Sequence, residues 1–385
     1  MSEKVIDQAL KDLQEKFGKG FIFQSGDEIR VAVEPIGSGS LALDMATKIP
    51  GLPRGKIVEY YGLESSGKST MALRAVAAAQ AQGEYCAWID AEQCMEPIWA
   101  RKHGVIMEKG NPYDLFMVYP DWGEQAIEAI DTLAKTNKFA LIVVDSVAAL
   151  VSKAEHESAM DKATVGRQSQ MMSTALRRLA SVLNTSRTTV IFINQLREKI
   201  GVMFGNKYTT PGGLALKFYS SVRVEYYKKN LREGDDVIGS EIHFKIVKNK
   251  VRSPFGEGTA YLIHGAGIDD AQEIAKEAVD SGVVGFEGRR YELDGKEIAV
   301  GIKEFLEKIR ADAGFRTSLK ERILDTLKPK PPVPPKHLTP VPGAPEPGAH
   351  ILEQPAEVQQ ELNEATKITV PDDDAPTRHR RKAHK

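Results

Sequence analysis

The stretch that most narrows the possible folds is "GLESSGKS", Gly62 to Ser69. A β-branched apolar run, "KIVEYYG", leads into it, and an alanine-rich run, "KSTMALRAVAAAQAQ", leaves it. A glycine-rich loop between a strand and a helix turns successive backbone N–H groups toward one point, at the positive end of the helix dipole. The spacing GxxxxGK[ST] adds a cation and a hydroxyl to that anion cradle. Lys68 is expected to reach the β- and γ-phosphates of a nucleoside triphosphate, and Ser69 to ligate its magnesium. Gly62, Leu63, Glu64, Ser65, Ser66, Gly67 and Thr70 form the rest of the cradle.

Around this loop, from about residue 34 to 268, strand-like and helix-like segments alternate. "YCAWID", "LFMVYP", "ALIVVD" and "VIFINQ" read as further strands. "EPIWARKHG", "EQAIEAIDTLAK" and "SQMMSTALRRLASVLN" read as helices between them. Such alternation predicts an α/β core with a mostly parallel sheet covered on both faces. Ahead of it, Ile6, Leu10, Leu13 and Phe17 form one stripe of a short helix within residues 1–33. Residues 269–327 read as a smaller α/β unit, with an Asp294-Gly295 turn between strand-like flanks. The segment 328–385 holds 12 of the 20 prolines and no aromatic residue, so it cannot bury a core and is expected to be a disordered tail. Its last eight residues, "RHRRKAHK", make a basic end.

Three strand ends supply chemistry. Asp145 closes "LIVVD" and is placed to hold magnesium or its water. Glu92, just after "WID", is the candidate general base for an attacking water. Asp90 is the competing carboxylate, better read as a strand-end hydrogen-bond acceptor. Gln195 closes "VIFINQ" and can sense a γ-phosphate. Shortly after it comes "IGVMFGNKYTTPGG", Ile200 to Gly213, a glycine- and threonine-rich loop with an apolar Met203-Phe204 pair. A loop this long inside a compact domain is usually functional or disordered.

The net charge of −1 gives no overall basic field, so any nucleic-acid binding must come from a local patch. Two cysteines without CxxC spacing suit a reducing compartment. The N-terminus lacks the apolar core of a signal peptide, and "FALIVVDSVAALV" is too short to span a bilayer. A cytoplasmic protein is expected. The eight histidines show no HExxH or similar ligand spacing, leaving magnesium with nucleotide as the expected metal.

With "GLESSGKST", "WIDAE", "EPIWARK", "IVVDSVAAL", "FINQLREKIGVMFGN", "GGLALKFY" and "VKNKVRSPF" occurring in that order, the sequence resembles the bacterial RecA recombinase family. The similarity runs from about the first helix to residue 270, more loosely to 327, and fails in the tail. It implies a RecA-like P-loop ATPase core, with a mostly parallel twisted sheet flanked by helices. It also implies an N-terminal helix that docks on the next protomer and a small C-terminal domain. Ile200 to Gly213 would then be the second DNA-binding loop, against single-stranded DNA inside a helical homo-filament. Its residues suit that role. Arg197, Lys199 and Lys207 can meet phosphates. Backbone amides at Ile200, Gly205, Asn206, Thr209, Thr210, Gly212 and Gly213 can do the same, while Met203 and Phe204 rest against bases. A lid over the nucleotide is the other use of such a loop.

The resemblance places a first DNA loop at about Glu157 to Val165, with Val165 where an apolar residue separates base triplets. It leads into a helix bearing Arg177 and Arg178, which otherwise read as solvated helix surface. Lys248 and Lys250 match cations that reach ATP on the neighbouring protomer, and Phe218 would line that interface. Glu96, Trp99 and His264 would contact adenine, with Glu and Trp standing where the family commonly has Asp and Tyr. The implied activity is a DNA-dependent ATPase that pairs single-stranded DNA with a homologous duplex and exchanges strands. A self-cleaving repressor of the LexA type is a further implied partner. A ring-shaped helicase-type motor and a filament scaffold using ATP only as a switch are the rivals.

Overall fold

The computed structural model describes residues 2–17, 34–158, 166–198 and 208–328. The central sheet of the described residues contains nine strands. In chain order they are β1 Ile57–Gly62, β2 Tyr85–Asp90, β3 Phe116–Val118, β4 Phe139–Asp145 and β5 Thr189–Gln195, then β6 Val222–Glu233, β7 Asp236–Asn249, β8 Glu257–Ile263 and β9 Gly267–Ile268. Their spatial order is β9-β8-β7-β6-β1-β5-β4-β2-β3. From β6 to β3 every pairing is parallel. The side from β6 to β9 is antiparallel. The expected mostly parallel α/β sheet is therefore present, extended on one side by a long hairpin that the sequence pattern does not announce.

Burial explains the pattern. Every residue of β1 and of β4 is buried, as strands covered on both faces must be. One face packs on helices Leu41–Thr47 and Lys68–Ala81 through Leu43, Met71, Val76, Tyr60, Trp88 and Phe244. The other packs on helices Gly123–Lys135 and Arg167–Ser186 through Ile130, Leu176, Leu179, Leu183 and Phe192. Each fully buried aliphatic or aromatic side chain contributes about 1.5–3 kcal/mol. Helix Lys68–Ala81 is alanine-rich on its packed side, which lets it lie close to the sheet.

Residues 270–325 build a small core around Ile274, Phe305, Ile309, Leu319 and Ile323, shared with Leu41 of helix Leu41–Thr47. Their three short strands, Gly285–Glu287, Arg290–Leu293 and Lys296–Val300, are antiparallel. Asp294 and Gly295 turn between the last two, both with positive φ (54° and 73°), the combination a tight hairpin requires. Arg322 clamps that turn by two hydrogen bonds to the Asp294 carboxylate, 2.8 and 2.6 Å.

The helix Ser2–Phe17 forms as its apolar spacing predicts, with Val5 and Ile6 exposed. No helix among the described residues is long and apolar enough to cross a membrane. Residues 329–385, expected as a tail, lie outside the described residues.

Candidate functional site

The glycine-rich loop leaves the carboxyl end of β1 and runs into helix Lys68–Ala81. Two of its glycines are dictated by space. A Cβ at Gly62 would stand 2.2 Å from the Tyr226 carbonyl oxygen, and one at Gly67 would stand 2.6 Å from Ile242 Cδ1. Gly67 also has φ 92°, in the left-handed region. Among the described residues no side chain caps the helix at Gly67, so its first N–H groups stay available to an anion. Lys68 lies against the loop, its ammonium donating to the Leu63 carbonyl (2.6 Å), the Gly62 carbonyl (3.4 Å) and Ser66 Oγ (3.2 Å). Burial lowers its pKa to about 8, although the carboxylates of Asp145, Glu92 and Glu64 act to raise it. Glu64, Ser65 and Leu63 are exposed along the rim, and Thr70 is buried in the first helical turn.

Beside the loop stand the ends of three neighbouring strands. Gly62 pairs with Gln195, and Asp90 pairs with Asp145. Ser69 Oγ donates to Asp145 Oδ2 at 2.8 Å, which joins the helix start to the end of β4. Desolvation pushes the Asp145 carboxyl up to about 6, Glu92 and Asp90 add to that rise, and the Ser69 hydrogen bond opposes it. Glu92 Oε1 accepts from Gln195 Nε2 at 3.3 Å and from the Ser146 hydroxyl. Asp90 is occupied otherwise: its two oxygens accept the backbone N–H groups of Cys94 (3.2 Å) and Met95 (3.0 Å). Ser146 is absent from the sequence expectations. Its signal was a hydroxyl placed directly after Asp145, interrupting an apolar run.

Donor chemistry and shape fit a magnesium-bound triphosphate. A hydroxyl and a carboxylate of the kind magnesium prefers meet at the end of a loop in which two positions exclude any Cβ.

Other expected residues distribute as follows. Glu96 caps the helix Pro97–Lys102, accepting from Ile98 N at 3.1 Å. Trp99, on that helix, packs against the core, its ring centroid 4.4 Å from that of His103 with the planes tilted by 60°. Lys102 donates to Gly265 O at 3.3 Å, tying the same helix to the turn that carries the exposed His264. Lys248 and Lys250 converge elsewhere. Lys248 Nζ donates to the carbonyls of Lys217 (2.6 Å) and Phe218 (3.0 Å), and Lys250 Nζ also to Phe218 O (3.0 Å). Phe218 itself is 66% exposed. Burial, then the charges of Lys250 and Arg223, lower the Lys248 pKa.

Of the loop residues, Val165, Lys199, Ile200, Met203, Phe204, Gly205, Asn206 and Lys207 lie outside the described residues. The stem of the second loop is described. Arg197 pairs with Thr209 and Glu198 with Tyr208 in a short antiparallel ladder. Beyond it, Thr210 is buried, and its hydroxyl has no partner among the described residues. Gly212 and Gly213, both with positive φ, press against Val147 and Ser169, where a Cβ would have 3.1 and 2.9 Å. The loop thus returns against the segment that follows Asp145 and against the helix that follows the first loop. Arg177 is exposed on that helix, whereas Arg178 is paired with Asp131 at 2.5 Å.

The family model described as the RecA N-terminal domain matches residues 4–269. Curated relatives named Protein RecA include one from Thermotoga maritima, 49% identical over 304 residues, covering 78% of this chain and 84% of its own length. Another, from Nocardioides sp., is 44% identical over 84% of this chain and 92% of its own. A third, from Bacillus subtilis, is 43% identical over 83% and 91%. The chain belongs to the RecA family of ATP-binding, DNA-dependent ATPases that act in recombination and repair.

Proposed function

We propose that the chain binds magnesium-ATP in the Gly62–Thr70 cradle and uses it to pair single-stranded DNA with a homologous duplex inside a helical filament of its own copies. The observation that carries this is the meeting of Lys68, Ser69, Asp145, Glu92 and Gln195 at adjacent strand ends. Lys68 exchanges its loop carbonyls for β- and γ-phosphate oxygens. Ser69 and Asp145 hold the magnesium, which when bound supplies positive charge against those oxygens. Glu92 accepts a proton from the attacking water, kept in orientation by Ser146. Gln195 leaves Glu92 for the γ-phosphate and carries that change into the ladder of Arg197 and Thr209.

Glu96, Trp99 and His264 flank the adenine, joined as they are through Lys102 and Gly265. Lys248 and Lys250 stand beside the exposed Phe218, so a neighbouring copy seated on Phe218 would receive both cations at its own nucleotide. Single-stranded DNA is held by the loop Ile200 to Gly213, by the loop ending at Val165, and by Arg177. Residues 1–33 serve assembly, 34–268 form the ATPase and DNA-binding core, and 269–327 form a separate small domain. The reaction belongs to the cytoplasm, and a self-cleaving repressor of the LexA type is a further partner. The test is conversion of circular single-stranded DNA plus homologous linear duplex into joint molecules. Products that require ATP and homology support the assignment; ATP turnover without any joint molecules contradicts it.

A further inference from the structure

β1 is buried at every position, yet its centre is a glutamate. Glu59 has no exposed surface, and a carboxylate there is tolerated only if its partners satisfy it. It has two. Arg223 Nε, on β6, donates to Oε2 at 2.5 Å, and Asn194 Nδ2, on β5, donates to Oε1 at 3.1 Å. One side chain therefore bridges the strands on either side of the phosphate-loop strand. Each partner leads further. Asn194 directly precedes Gln195, accepts that residue's backbone N–H at 3.0 Å, and donates to the Pro211 carbonyl at 3.2 Å in the returning stem of the long loop. Arg223 lies over the Tyr61 ring at 4.5 Å and pairs across the antiparallel ladder with Lys248.

We infer that Glu59 is a positioning residue. Together with Asn194 and Arg223 it forms a buried brace that fixes the Gln195 end of β5, the Pro211 stem and the Lys248 strand relative to the phosphate loop. The inference rests on the functional assignment above, and adds a site to it. Packing alone needs no charge in a fully covered parallel strand, and apolar residues of the same volume usually serve stability as well or better. What the charge adds is register: a directed bond to β6 on one side and to β5 on the other. DNA seated on the loop and ATP seated on the strand ends then act on one rigid frame.

The experiment compares wild type, Glu59→Gln, and the charge-free pair Glu59→Leu/Arg223→Met, using poly(dT) as DNA. Glu59→Gln is expected to raise the DNA concentration for half-maximal ATP turnover at least tenfold while leaving the KM for ATP within twofold. The charge-free pair is expected to recover the wild-type melting temperature without recovering the DNA response, and it stands in for the single variant if that one fails to fold. A wild-type DNA response in Glu59→Gln overturns the inference. So does recovery of stability and DNA response together in the charge-free pair, because the brace would then be packing only. If wild type itself shows no DNA-stimulated turnover, the functional assignment fails and the brace fails with it.

Discussion

Gln195 Nε2 lies 3.3 Å from Glu92 Oε1, so the residue expected to sense the γ-phosphate is bonded to the residue expected to activate water. Engagement of a γ-phosphate by Gln195 would release Glu92 Oε1 from one of its two donors among the described residues. The other, Ser146, would remain. Sensing and base activation are then one event.

Replacing Glu92 by Gln should keep ATP binding and assembly while lowering DNA-stimulated turnover by ~10²–10⁴-fold, the usual contribution of a positioned base. Single-turnover hydrolysis with poly(dT) checks it. Turnover at the wild-type rate would remove Glu92 from the chemistry.

Lys68→Ala should abolish tight ATP binding without unfolding the core, because among the described residues the ammonium bonds only to its own loop. Calorimetric titration with ATP measures the loss. An unchanged Kd would show that the loop is held differently from the assignment.

Much of this is legible in the sequence, for physical reasons that differ by element. β1, β4 and β5 announce themselves because strands buried on both faces must be almost wholly apolar. The hairpin of β6 and β7 does not. Its outer half, from Tyr227 to Val237, is exposed except for the half-buried Leu231 and rich in charge, so no periodicity marks it as sheet. Glu92 and Asp90 are two residues apart and chemically alike, and the sequence alone favours Glu92 only weakly. The backbone bonds from Cys94 and Met95 to Asp90 separate them. Asn194 and Glu59 are not legible because their partners lie far away in the chain, and Ser146 shows only as a hydroxyl that interrupts an apolar run. Lys248 and Lys250 rest on resemblance in the sequence; in the structure they share the Phe218 carbonyl.

Trans action by these lysines predicts complementation. Lys248→Ala/Lys250→Ala should lose turnover on the order of 10³-fold, the scale of a cation supplied from a neighbour. Mixing it with Glu92→Gln protein should restore part of the activity, since mixed interfaces combine an intact base with intact lysines. A mixture no more active than its components would place the lysines in cis or outside the reaction.

Stability should fall as pH rises from about 5 to about 7.5. Burial pushes both Asp44 and Glu273 up to about 7, Asp270 adding to the rise at Glu273. Unfolded carboxyls lose their protons near pH ~4, so through this window the folded state holds protons that the unfolded state has lost. The sign is a loss of stability with rising pH, at most ~1.4 kcal/mol per pH unit for each carboxyl that stays protonated only in the folded state. Glu273 accepts from Ser40 Oγ at 2.8 Å and Ala42 N at 3.3 Å, joining helix Asp270–Asp280 to the start of helix Leu41–Thr47. Glu273→Gln should flatten the pH dependence of the urea midpoint. A midpoint that rises with pH over this range would reverse the sign and refute the assignment.

Electron microscopy of the full chain with single-stranded DNA and a slowly hydrolysed ATP analogue tests the central claim most directly. The claim requires copies joined head to tail, Phe218 and its two lysines facing the next nucleotide site, in a contact that does not close. The predicted result is long helical filaments that need both DNA and nucleotide and that shorten or vanish in Lys68→Ala. Closed rings, or single particles beside bare DNA, would contradict it.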